Sequence, residues 1–335
     1  MTSRTTQSRP AAGASTHAGT IPTVEPATQA FLDALASQGG PPLYERSFSD
    51  ARGVLRSVQA GDVATLEADV EDRTVPGGPG GTVSIRIVRP KGSTKTLPAV
   101  MYFHGGGWIL GDKDTHDRLV RDLANATEAA YVFVNYTPSP EAHYPVPVEE
   151  AYAATRWVAE NGATINVDPT RLAVAGDSVG GNMVAAVTLL AKERGGPRLR
   201  FQVMFYPVTD ADFGTATYQQ FAEGPWLTRE AMRWFWDAYL PDAAARRQPT
   251  ASPLRATVDQ LHGLPPALLM TDEHDVLRDE GEAYAHKLAQ AGVRVTATRY
   301  LGTIHDFALL NPITNTPAPR AAIRQASDAL RRALA

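Results

Sequence analysis

The chain has 335 residues, 43% hydrophobic and 20% charged, which excludes a wholly disordered polymer and leaves room for one large α/β domain. Its 32 basic and 36 acidic residues sum to −4, without the cationic excess that phosphates demand, so no nucleic-acid partner is expected. With 0 cysteines it has no disulfide, thiolate nucleophile or sulfur-ligated zinc, which is compatible with a reducing, cytoplasmic setting; no stretch approaches the roughly 20 apolar residues of a bilayer span, so no membrane partner is expected.

Residues 1–26 are rich in Ser, Thr, Ala, Gly and Pro and lack an apolar core segment, so they read as a disordered tail rather than a secretory signal. In residues 27–60, Phe31, Leu32 and Leu35 precede a Gly-Gly-Pro-Pro break, and Leu43, Val54 and Leu55 follow it at helical spacing; two short amphipathic helices are predicted. The period then changes. Segments Val63–Thr74 and Val83–Val88 alternate as strands, and six apolar runs follow: Ala99–Phe103, Tyr131–Asn135, Leu172–Ala175, Phe201–Tyr206, Ala267–Met270 and Val293–Tyr300. Helical stretches separate them, among them Arg118–Ala126, Val148–Glu160 and Gly180–Arg194. Apolar strands alternating with helices predict a mostly parallel sheet covered on both faces, with ligands at the carboxyl ends of the strands.

The turns after these runs carry the chemistry. Leu172–Ala175 ends in Gly176-Asp177-Ser178-Val179-Gly180-Gly181 ahead of an apolar helix, which satisfies G-x-S-x-G between strand and helix. A serine on so sharp a turn stands above the sheet, with the helix N-terminus aimed at the reacting oxygen. A phosphate-binding loop fails, because the lysine of G-x-x-x-x-G-K-[ST] is missing. Ala99–Phe103 ends in His104-Gly105-Gly106-Gly107-Trp108. Bare glycine amides there can stabilise a developing oxyanion, with a second donor from the amide of Val179. His104 reads as a residue pinning this loop rather than as a base, and Trp108 reads equally as core or pocket wall.

A serine hydroxyl needs an imidazole, and the imidazole an orienting carboxylate. The run ending at Met270 is followed by Asp272, Asp275, Asp279 and Glu280; the run ending at Tyr300 is followed by Gly302 and His305. Of the histidines beyond Ser178, His286 falls inside a helical run and His262 in a proline-flanked loop, while His274 shares its turn with the acids. His305 is therefore favoured as base. Asp279 and Glu280 open a helix, where the dipole explains them; spacing does not separate Asp272 from Asp275.

HGGGW, GDSVGG, DVLRDEGEAYA and GTIHDF, in this order, resemble the hormone-sensitive-lipase-like branch of the α/β-hydrolases, bacterial esterase family IV, from about Val63 to the C-terminus. The resemblance implies an α/β-hydrolase fold, with an eight-stranded, mostly parallel sheet, helices on both faces and a helical cap. It assigns Asp275 as the acid beside Ser178 and His305, and Gly105, Gly106, Gly107 and Val179 as the oxyanion hole. The cap would comprise residues 27–60 and part of 213–240, the catalytic domain residues 61–335. Trp108, Asp177 and Trp226 are the candidate substrate-contacting side chains, while Trp234, Phe235, Trp236 and Tyr239 read equally as helix core or pocket wall. Two departures stand out: Tyr136–Pro145 (YTPSPEAHYP) differs from the usual R-L-A-P-E version, and Val179 replaces the commoner alanine, which would narrow the cavity beside the oxyanion hole.

The implied activity is hydrolysis of short- to medium-chain acyl esters through an acyl-enzyme, on a small-molecule ester, without a metal or cofactor and with a homodimer as the expected assembly. Alternatives are a serine hydrolase acting on amides, lactones or carbamates, a true lipase, and a non-catalytic ligand-binding module. The last conflicts with the presence of His305.

Overall fold

The switch from helical to alternating periodicity marks where an N-terminal helical segment hands over to a sheet. The computed structural model describes residues 23–335. In chain order these form α1 (Pro26–Gln38), α2 (Phe48–Gln59), β1 (Ala68–Pro76), β2 (Thr82–Pro90), β3 (Leu97–Phe103), α3 (Asp117–Thr127), β4 (Ala130–Asn135), α4 (Val146–Asn161), β5 (Val167–Asp177) and α5 (Val179–Glu193). There follow β6 (Gln202–Phe205), α6 (Ala216–Gln220), α7 (Arg229–Tyr239), α8 (Val258–Leu261), β7 (Ala267–His274), α9 (Arg278–Gln290), β8 (Val295–Ile304) and α10 (Pro317–Leu334). Of the predicted tail, residues 1–22 lie outside the described residues. Its last four do not behave as a tail: Glu25 accepts from the Thr28 amide at the start of α1, and its own amide donates to the Gly302 carbonyl.

Among the described residues the strands form one sheet in the order β1-β2-β4-β3-β5-β6-β7-β8. The β2 strand is antiparallel to β1 and β4, and the remaining neighbours are parallel. This is the mostly parallel eight-stranded sheet that the sequence predicts. Several strand limits shift: β5 extends the predicted Leu172–Ala175 to Val167–Asp177, β7 runs on from Met270 to His274, and the first and last strands move as well. The first strand starts at Ala68 rather than Val63 because its partner ends opposite it, at Pro90, which has no amide to extend the ladder. The last runs from Val295 to Ile304 rather than from Val293 to Tyr300, since the Val293 amide closes the turn after α9 by donating to Leu288 and pairing with β7 persists as far as His274↔Ile304.

Alternation along the central strands feeds two cores. On β3, Ala99, Met101 and Phe103 point into one and Val100 and Tyr102 into the other, and all are fully buried. Helix α5 is buried from Val179 to Ala191, so it runs behind the sheet as a packed strut. A register shift between Asp272 and His274 makes a bulge near the end of β7, the kind of irregularity that re-aims side chains beside sites.

The N-terminal helices are tied down. Arg52 pairs with Glu141 and donates to the Ile109 and Ser139 carbonyls, and Gln59 accepts two hydrogen bonds from Asn311 while donating to the Thr115 and Leu309 carbonyls. Phe48 stacks on Trp234 at 5.3 Å, so residues 27–60 and 213–240 pack together over the carboxyl ends of the strands. Among the described residues, no helix is long and apolar enough to cross a membrane.

Candidate active site

At the end of β5 the backbone turns so sharply that Ser178 takes φ 54° and ψ −120°, a conformation a side-chain-bearing residue rarely adopts. The Ser178 amide donates to Phe205 and its carbonyl accepts from Asn182 and Val208, which holds the strained residue in place. Gly180 is obligatory here: a Cβ on it would collide with the Phe103 carbonyl oxygen. The local sequence thus specifies the turn, and the turn lifts the hydroxyl toward the loops after β7 and β8.

Those loops bring a base and an acid to it. His305 Nε2 lies 2.9 Å from Ser178 Oγ, and His305 Nδ1 lies 2.7 Å from Asp275 Oδ2. Asp275 Oδ1 accepts the Leu277 amide at 3.0 Å, which fixes the carboxylate plane. Ser178, His305 and Asp275 are at most 4% exposed. The geometry puts the proton of the neutral imidazole on Nδ1 and leaves Nε2 free to accept from Oγ. Burial pushes the imidazolium down, but Asp275 and Asp306 outweigh it and hold His305 at about 9.

The glycine loop lies on the other side of Ser178. Gly106 and Gly107 have φ of 105° and 64° and line the cavity beside Ser178. Among the described residues, neither amide donates to a protein acceptor, and the Val179 amide, first in α5, has no intrahelical partner. A Cβ on Gly107 would collide with the Phe235 ring, so this loop fits closely under α7. Gly105 does not line the cavity; it packs against the Asp177 carboxylate and Ser178.

His104 braces the loop. Its Nδ1 sits 2.8 Å from the Gly105 carbonyl, its ring stacks between Phe133 and Tyr136, and the Tyr136 hydroxyl donates to the His104 carbonyl. Burial, reinforced by His116, pushes His104 down to about 4, so it stays neutral. The divergent Tyr136–Pro145 segment supplies further braces, the Ser139 amide donating to the Trp108 carbonyl and the Tyr144 amide to the Tyr239 carbonyl.

Other candidate residues fall elsewhere. Trp108 does not touch the cavity: fully buried, it stacks on Tyr239 at 3.9 Å with Trp236 against its edge, because φ 59° turns it away from Ser178 into the core. Asp177 is also sealed off, accepting from the Tyr102 hydroxyl at 2.7 Å with His116 Nε2 at 3.3 Å, and it anchors the elbow from below. Burial pushes its carboxyl up, but His116 and these hydrogen bonds hold it below the usual aspartate range. The Val179 side chain packs into the core rather than narrowing the cavity. Trp226 does reach the cavity wall, where its Nε1 donates to Asp306 Oδ2. Of the α7 aromatics, Phe235 lines the cavity, Trp236 and Tyr239 are core, and Trp234 lies against Phe48. His286 is exposed, and His262 Nδ1 is 3.0 Å from the Ala291 carbonyl.

Sequence reasoning missed Tyr102, His116 and Asp306. The first two carried no signal, being ordinary strand and helix-flanking residues; Asp306 adjoins His305 and could have been singled out. It has φ 66°, and its Oδ1 lies 3.6 Å from His305 Nε2.

The cavity above Ser178 measures about 220 Å³, walled by apolar side chains that include Leu43, Leu55, Leu227, Met232 and Phe235. A larger cleft of about 1040 Å³ opens at the amino ends of β6–β8, among Lys192, Arg200 and Arg294, away from any nucleophile–base pair. The smaller one holds Ser178 and His305. A hydroxyl, an oriented imidazole and unengaged amides around one apolar pocket can transfer an acyl group through a tetrahedral oxyanion.

Residues 100–309 match the family model described as alpha/beta hydrolase fold. The chain is similar to the carboxylesterase NlhH of Mycobacterium tuberculosis, 39% identical over 287 residues that span 85% of this chain and 89% of that relative. Among solved structures it is similar to a thermostable esterase from Pseudomonas putida ECU1011, with 56% identity, a TM-score of 0.92 and coverage of 95% of this chain and 99% of that one. A mutant of the esterase rPPE complexed with (S)-Ac-CPA is 55% identical, also with a TM-score of 0.92, over 95% of this chain and 99% of that one.

Proposed function

Because the chain belongs to the α/β-hydrolase fold family, in its hormone-sensitive-lipase-like branch, and is a carboxylesterase, we propose that Ser178, His305 and Asp275 carry its ester hydrolysis. The observation behind this reading is the continuous relay of 2.9 Å and 2.7 Å from Oγ through the imidazole to the carboxylate. In the cycle, His305 Nε2 takes the Ser178 proton as Oγ attacks the ester carbonyl. The tetrahedral oxyanion is held by the amide of Val179 and those of the glycine loop, Gly106 and Gly107 foremost. His305 then hands the proton to the leaving alcohol, and water repeats the sequence to free the acid. Asp275 stays ionised throughout and steadies the imidazolium. The relay supplies nucleophile and base and the backbone amides supply the oxyanion donors, so the reading invokes no metal or organic cofactor.

Small soluble esters with short to medium acyl chains fit best. A water molecule occupies about 30 Å³ in the liquid, so a cavity of about 220 Å³ has room for a handful of heavy atoms. Residues 27–60 and 213–240 act as the cap on this reading, because Leu43 and Leu55 from the first and Phe235 from the second form the pocket wall. Trp226 contacts substrate. We also read β8, an edge strand of the sheet with Leu301 71% exposed, as the seam of a homodimer together with α10. The cysteine-free composition supports a cytoplasmic site of action.

The test is Ser178→Ala against a graded series of acyl esters with matched amides. We expect ester turnover to fall by roughly 10⁴-fold or more, with an unchanged melting temperature and no labelling by a fluorophosphonate. Turnover comparable to wild type would refute the assignment.

A further inference from the structure

Behind the acid lies a second carboxyl that this mechanism does not use. Asp272 is fully buried, and among the described residues neither of its oxygens has a hydrogen-bond partner. One of its oxygens lies within 4.8 Å of both an Asp275 oxygen and a His305 ring nitrogen. It sits on β7 opposite Tyr300, immediately before the bulge that carries the chain round to Asp275.

An ionised carboxylate accepts hydrogen bonds only, and a buried one without donors is strongly disfavoured. A protonated carboxyl there can instead donate, and the neighbouring acceptor is Asp275. Each Asp275 oxygen has one partner, the Leu277 amide on Oδ1 and the imidazole on Oδ2, which leaves lone pairs for one more donor. We propose that Asp272 is a positioning residue that keeps its proton and donates it in a hydrogen bond to Asp275, sharing that carboxylate's charge and moderating its pull on His305.

The surrounding charges agree. Burial pushes the Asp272 carboxyl well above the aspartate range, and repulsion from Asp275 and Asp306 pushes the same way. Those facing His305 are Asp275, Asp306 and, more distantly, Asp177; Glu280 of α9 faces Asp275 from the far side. The neutral Tyr206 ring packs edge-on to the imidazole at 5.0 Å.

The inference rests on His305 acting as base, and the two can fail separately, since full turnover in Ser178→Ala overturns the mechanism itself. The experiment compares Asp272→Asn, which retains a donor and cannot ionise, with Asp272→Leu, which has similar size and no donor. The readout is the acid limb of kcat/KM against pH on a soluble ester, together with kcat and KM at the plateau. We expect the Asn variant to keep the wild-type limb within about 0.3 pH unit and kcat within about threefold. The Leu variant should move the limb upward by about half a unit or more, and lower kcat about tenfold at unchanged KM. A limb displaced in the Asn variant overturns the proposal: downward displacement means that wild-type Asp272 is ionised, and upward displacement means that an amide cannot replace the acid. An unmoved limb in a folded Leu variant overturns it as well. Should the Leu variant not fold, the Asn variant alone decides.

Discussion

Asp306 makes a quantitative test of how the site sets its base. Its Oδ1 lies 3.6 Å from His305 Nε2, on the cavity side of the imidazole and opposite Asp275. Replacing Asp306 by Asn removes a negative charge yet leaves an amide oxygen to accept from Trp226 Nε1. At the 3.6 Å separation, Coulomb's law gives about 1.2 kcal/mol with the permittivity of water and about 4.6 kcal/mol at an effective value of about 20, or roughly 0.8 to 3.4 pH units. The low end of this range, about 1 unit, is the smallest displacement that the removal of the charge should produce. The sign is fixed: losing an anion destabilises the imidazolium, so the His305 value falls from about 9. Near pH 7 the base form becomes about tenfold more abundant, and its lower basicity returns part of that gain, so kcat/KM should rise about threefold. The assay is the initial rate on a soluble acetyl ester from about pH 5.5 to pH 10 at fixed ionic strength of about 0.1 M. The acid limb should move down by about 1 unit with its shape retained. A limb that stays put, or moves up, would show that Asp306 carries no charge felt by His305, and the electrostatic reasoning would fail.

Asp275→Asn should cut kcat by about 10⁴-fold with little change in KM, because an amide presented to Nδ1 favours the tautomer whose Nε2 cannot accept the Ser178 proton; steady-state kinetics at saturating ester check this. Gly107→Ala should lower turnover about 100-fold and also lower the melting temperature, since the new Cβ meets the Phe235 ring at a positive φ. Adding Phe235→Ala should leave the melting temperature below wild type in thermal unfolding, since the positive φ stays and a buried ring is lost, and should not restore the rate.

How much of this was legible depends on the range of the interactions involved. Gly176 to Gly181 encode their turn in part locally: a Cβ at Gly176 would meet the Gly180 backbone within the same strand–turn–helix unit, so that demand shows in the sequence, whereas the bar to a Cβ at Gly180 comes from Phe103 on the neighbouring strand. In the glycine run after β3 only Gly106, whose Cβ would meet the Leu110 carbonyl, is constrained by near neighbours in the same way. Asp272 and Asp275 were not separable by spacing, and only the resemblance chose between them. In the fold a bulge between Asp272 and His274 brings an Asp275 oxygen to His305 Nδ1 and leaves Asp272 behind it without a partner. Trp108 shows the converse. Its place in the motif left core and pocket wall equally open, and stacking on Tyr239, 131 positions away in sequence, keeps it in the core.

By itself the sequence determined the alternation of strands and helices, the elbow, the bare-amide loop and the chain order of the reactive groups, because periodicity and turn sterics are properties of neighbouring residues. Tertiary structure decided which carboxylate meets the imidazole, how Tyr102 and His116 clamp Asp177 beneath the elbow, and how Asp306 with Trp226 closes the cavity floor. Those contacts join side chains from 30 to 80 positions apart, and they exist only once the sheet has set the spacing between its strand ends.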